Sequence, residues 1–124
     1  MAAIQLQSRA AEERVREAIA EAVSRMPDYQ PRVASNEPGT LMIETGSVGM
    51  AYLAGGFRKA EKMPMRILVT TAAGEGGTGI SVDVESRGTG GGFSGGVVGV
   101  RKQRRGEEFW LETIRAAIPD RVPV

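Results

Sequence analysis

The chain has 124 residues, 41% hydrophobic and 25% charged, the balance of an ordinary globular protein. Sixteen Lys and Arg against fifteen Asp and Glu give a formal net charge of +1, so no global field draws it toward nucleic acid. Cysteine and histidine are both absent, which excludes disulfides, structural zinc, thiol nucleophiles and imidazole bases.

No apolar run approaches the ~20 residues needed to cross a bilayer. The opening MAAIQLQSRAAEE lacks a basic start followed by an apolar stretch, so the expected location is cytoplasmic. From Ser8 to Met26 apolar residues recur at Val15, Ala18, Ile19, Ala22, Val23 and Met26, a helical rhythm. Ser8 is its expected N-cap, Glu12 and Glu13 suit the positive end of the dipole, and Pro27 closes it. A hairpin follows, with strands over 29–36 and 40–45. Between them, Glu37-Pro38-Gly39-Thr40 has Pro and Gly where a type II turn needs them. A further strand is expected over 48–54, weakened by Gly49.

The best strand pair is 65–71 with 80–86. Ile80, Val82 and Val84 alternate with Ser81, Asp83 and Glu85, so one face is apolar. Pairing Thr71 with Ile80 sets Val69 opposite Val82, Ile67 opposite Val84 and Arg66 opposite Glu85. A slip of one residue would lose all of these matches. Eleven of the seventeen glycines fall between Gly74 and Gly99, which predicts turns and a glycine-rich loop over 87–99. The last element is a helix over 100–118, ended by Pro119. Val100, Trp110, Leu111, Ile114, Ala117 and Ile118 share one arc of it, and a basic face lies opposite. The expectation is one α+β domain over residues 1–124, in two layers: an N-terminal helix, an antiparallel sheet of four or five strands, and a C-terminal helix packed on the sheet.

Two segments fit the dinucleotide pattern G-x-G-x-x-G. Gly74–Gly79 leads from strand to strand, with no helix N-terminus to hold a pyrophosphate. Gly90–Gly95 precedes a helix, but no parallel strand follows to complete the unit. No nucleotide or other cofactor is expected. The sharper candidate is Arg101, Lys102, Arg104 and Arg105, four cations within five residues. They would suit an anionic partner such as a nucleic acid backbone or an acidic lipid surface. The plainer alternative is a solvated helix face screened by Glu107, Glu108 and Glu112. Asp83 and Glu85 share a strand face and with Glu44 could support carboxylate chemistry, although Arg66 opposite Glu85 reads as an ion pair. No catalytic or metal-ligating set is assigned. Met42, Met50, Met63 and Met65 could line an adaptable apolar cavity or simply fill the core.

A helix closing over an antiparallel sheet, with Gly90–Gly99 leading into Arg101–Ile118, resembles the helix-grip arrangement of START-type lipid-binding and polyketide-cyclase-like domains. The resemblance covers the last third of the chain and departs from that arrangement in opening on a helix and in being short for a full cavity-forming sheet. No functional residue is carried over from it.

Three functions are carried forward. The first is a small non-enzymatic binding or interaction module, taking an apolar ligand or a protein partner in a sheet–helix groove. An unpaired sheet edge would make it a homodimer. The second is an anion-binding adaptor acting through Arg101, Lys102, Arg104 and Arg105. The third is a carboxylate enzyme using Asp83 or Glu85.

Overall fold

A computed structural model describes residues 2–46, 64–86 and 96–123, with side chains throughout except at 96–103. Strand β1 (Ala2–Ser8) leads into helix α1 (Glu12–Ser24) and a 3₁₀ turn at Pro27–Tyr29. Strands β2 (Arg32–Glu37), β3 (Thr40–Thr45), β4 (Met65–Gly74) and β5 (Gly77–Ser86) follow, and helix α2 (Gly96–Ala117) closes the chain. The five strands form one antiparallel sheet in the order β1-β5-β4-β3-β2. This is the expected α+β architecture, with both helices on one face of the sheet.

Alternation dictates that face. Leu6, Leu41, Ile43, Met65, Ile67, Val69, Ile80, Val82 and Val84 are buried and point to the same side. Val15, Ile19 and Val23 of α1, Trp110, Leu111 and Ile114 of α2, and Ile118 just after it complete a single apolar cluster with them. Helix α2 lies over β5 and β1, while α1 packs on β4, β2 and α2. The β4–β5 register follows the side-chain matching: Thr71 faces Ile80, Val69 faces Val82, Ile67 faces Val84, and Arg66 faces Glu85. Gly39 has φ +87°, the left-handed conformation that a Pro-Gly turn requires at that position.

Several expected boundaries need correction. The first element described is β1, not a helix. Ile4 and Leu6 alternate with Gln5 and Gln7, and that short period-two signal marks the strand. Ser8 therefore belongs to a strand, and Ala11 occupies the N-cap of α1 without a side-chain cap. Residues 29–31 precede β2, because Pro27 starts a tight turn that ends with Gln30 at φ +50°. The last helix begins at Gly96, so glycines expected in a loop form its first turn. Residues 48–54 and 87–95 lie outside the described residues.

The sheet and both helices are tied together at one junction. The Ser8 hydroxyl donates to the Pro119 carbonyl and accepts from the Ala10 N–H. Thr78 Oγ1 donates to the Ala10 carbonyl at 2.7 Å. The C-terminal segment runs back beside β1, with Arg9 N–H donating to Asp120 O at 2.9 Å and Val122 N–H to Gln7 O at 2.8 Å. Gly77 sits against this crossing. A methyl group built on it would run into the Ser8 carbonyl oxygen and lie 3.0 Å from Arg9 Cα. Both neighbours are backbone, which cannot swing aside. Gly77→Ala is expected to destabilise the fold by about 2–4 kcal/mol in chemical denaturation. Gly74, with open space around it, should tolerate alanine within about 0.5 kcal/mol.

Candidate functional site

The apolar layer between sheet and helices is closed at one end by three aromatic rings. Tyr29 comes from the 3₁₀ turn, whose carbonyl accepts from Gly46 N–H at 2.9 Å. Phe109 and Trp110 come from consecutive positions of α2. The Tyr29 ring lies 5.4 Å from each of the other two, and Phe109 and Trp110 stand edge to face at 5.3 Å. Trp110 is fully buried, whereas Tyr29 and Phe109 are half-buried. The trio thus has an inner member locked in the core and two outer members within reach of solvent. Trp110 meets both outer rings edge to face, a geometry that suits the ring quadrupoles and fixes the rim.

The basic cluster falls early in α2. Arg104 and Arg105 are exposed. Arg101 and Lys102 share the helix backbone, and their side chains lie outside the described residues. Because α2 begins at Gly96, the cations stand beyond its first turn, away from the strongest part of the positive helix end. Glu107 differs from the solvated screening role expected of it: it is only 3% exposed. A carboxylate one turn before the core residue Leu111 and two before Ile114 gave no distinguishing signal, since glutamate suits an exposed helix face equally well.

The carboxylates on the other face of the sheet are held by a cation. Arg66 reaches Glu44 at 3.4 Å and Glu85 at 3.5 Å. With Arg32 opposite Glu44, the register makes a row of alternating charge, Glu85–Arg66–Glu44–Arg32, across four strands. Asp83 lies one row away, opposite Leu68 and Ala3, and is half-buried. Among the described residues no group of three or more acidic side chains is placed to hold a metal ion. An open trough of about 640 Å³ lies on this same outer face, lined by Gln5, Gln7, Thr70, Ala72, Ser81 and Val122.

A second polar group, which sequence reasoning missed, lies on the helix side. Arg16 is 8% exposed, the only buried cation among the described residues. Its Nε donates to Asn36 Oδ1 at 3.3 Å, and its guanidinium reaches Glu12 and Thr71 at 3.4 Å. Thr71 Oγ1 in turn donates to Glu12 Oε1 at 2.8 Å. On a helical wheel Arg16 looks like part of a mixed-charge surface. It is buried because the first turn of α1 lies against the β2–β3 hairpin end.

No protein-family model matches the chain. No curated protein matches it either. It is similar to the crystal structure of DynU16, a protein in the dynemicin biosynthetic locus, with a TM-score of 0.49 and 14% identity. The match covers 97% of this chain and 49% of that one, so this chain spans about half the length of DynU16. Among the described residues no helix is long and apolar enough to cross a membrane.

The Arg16 network yields a prediction. Arg16→Met leaves Glu12 and Asn36 without their cation in a partly dry site, and should cost about 1–3 kcal/mol in denaturant titration. Glu12→Gln keeps an acceptor for Thr71 and should cost less than half as much.

Proposed function

We propose that the chain is a small binding module that takes an apolar ligand, or an apolar segment of a protein partner, at the layer between sheet and helices. The aromatic rim carries this reading. Tyr29 and Phe109 remain half-buried against an apolar layer whose sheet side is built from aliphatic side chains. Partly exposed aromatic faces beside a dry interior suit a hydrophobic occupant, which would extend the cluster instead of creating a new one.

Trp110 is the single tryptophan and belongs to the trio, so its emission reports on occupancy. Titration with the neutral dye Nile red should be saturable and should change Trp110 emission. Tyr29→Ala and Phe109→Ala should each weaken binding by about tenfold, the worth of a partly buried ring. Dye binding that leaves Trp110 unmoved, or that ignores both substitutions, rules the rim out.

A second reading is favoured by the exposure of Arg104 and Arg105 in the basic stretch of α2. On it the module is an anion-binding adaptor for nucleic acid or an acidic lipid surface. Retention on heparin should then fall steeply with salt and vanish when Arg101, Lys102, Arg104 and Arg105 are all changed to Gln. Absence of retention at low salt removes this reading and leaves the first intact.

A further inference from the structure

We infer that β2 is the docking edge for a second copy of this chain, pairing antiparallel with its twin so that Arg32 of each copy stands opposite Glu37 of the other. Strand β2 ends the sheet, and among the described residues no strand lies beside its outer edge. It is exposed along most of its length and carries Val33, a large apolar side chain 48% exposed.

The register with β3 shows which backbone groups are open. The two-residue Pro38-Gly39 turn makes Glu37 and Thr40 the closing hydrogen-bonded pair, so Asn36 turns its N–H and C=O outward. Thr71 N–H donates to Gly39 O at 3.0 Å, which fixes the same phase on β3: alternate residues, Ile43 among them, bond toward β4. Val33, opposite Ile43, therefore also directs its N–H and C=O outward.

A bulge decides what can pair there. The partners step from Val33 to Ser35 while β3 advances by one, leaving Ala34 as the extra residue. Arg32 and Glu37 are five apart and would ordinarily face opposite sides of the sheet. The bulge puts them on the same outer side, because Arg32 pairs with Glu44 and Glu37 with Thr40. An unbulged strand laid on this edge would fall out of phase at Ala34. A second β2, turned by a twofold axis between Ala34 and Ser35, has the compensating extra residue. It brings Val33 opposite Asn36 on the helix side, allowing about four backbone hydrogen bonds between the copies. On the outer side it brings Arg32 opposite Glu37 twice. The row Glu85–Arg66–Glu44–Arg32 then gains an acid after its terminal cation and alternates on into the second copy.

Sedimentation velocity of the full chain over a concentration series tests this. The unmodified protein should associate to a dimer. Glu37→Arg, an exposed site that sets two cations against each other, should weaken dimerisation by about tenfold or more. Arg32→Glu should do the same. An equimolar mixture of these two variants should dimerise again, because each Arg then meets a Glu. Val33→Pro removes an outward N–H that β3 does not use, and should yield a monomer whose circular dichroism is unchanged. A protein that stays monomeric throughout the series overturns the inference. So does a dimer indifferent to Glu37→Arg, including one lost only with Val33→Pro, since its register would be a different one.

Discussion

A five-stranded sheet with most of its large aliphatic residues on one side must bury that side, and everything else in the fold answers to this requirement. Val69, Val82, Ile67 and Val84 form its centre and are fully buried. Two helices are needed to cover it: α2 spans β5 and β1, and α1 covers the β4–β2 half. The two helices also touch each other, and Val15, Ile19, Trp110 and Ile114 belong to the single cluster beneath them. At one end of the layer the filling is aromatic. At the other, the Ser8–Thr78–Pro119 crossing closes it with hydrogen bonds. The opposite face of the sheet has less demand, so charge and hydroxyl groups share it with Met42 and Leu68.

The two faces explain why binding is best sought on the helix side and association at the edge. An apolar occupant gains from contact with side chains already arranged as a dry surface. The outer face offers ion pairs that are largely solvated, and each such pair contributes little on its own. At a strand edge, however, charge fixes register and orientation, while the backbone supplies the hydrogen bonds.

Much of this was legible from residue order. The β4–β5 register could be read because Ile67, Val69, Val82 and Val84 match on one face only when Arg66 meets Glu85 on the other. The Pro38-Gly39 turn could be read because glycine is the residue that accepts a positive φ without strain. The first strand escaped notice because only Ile4 and Leu6 carry its alternation, and its partner β5 lies more than seventy residues away in sequence. The burial of Arg16 and Glu107 was invisible for a different reason. Long polar side chains follow the helical period on either face, and only tertiary neighbours decide which of them lose water. The bulge in β2 is likewise a property of the pairing. No residue in Val33-Ala34-Ser35 announces it.

The pairing of the first strand with the fifth has a consequence for how the chain is made. Strand β1 leaves the ribosome before the rest of this sheet, yet its strand neighbour among the described residues, β5, emerges only after β2, β3 and β4. Until then the nascent sheet can grow only from the β2–β3 hairpin and β4, and β4 lacks its β5 partner. The amino-terminal segment must wait, unpaired and partly greasy, and the closing step carries the largest loop entropy in the molecule. Folding speed during synthesis is therefore governed by the last strand to arrive, and a pause placed once Ser86 has cleared the ribosome would lengthen the interval in which that segment can find it.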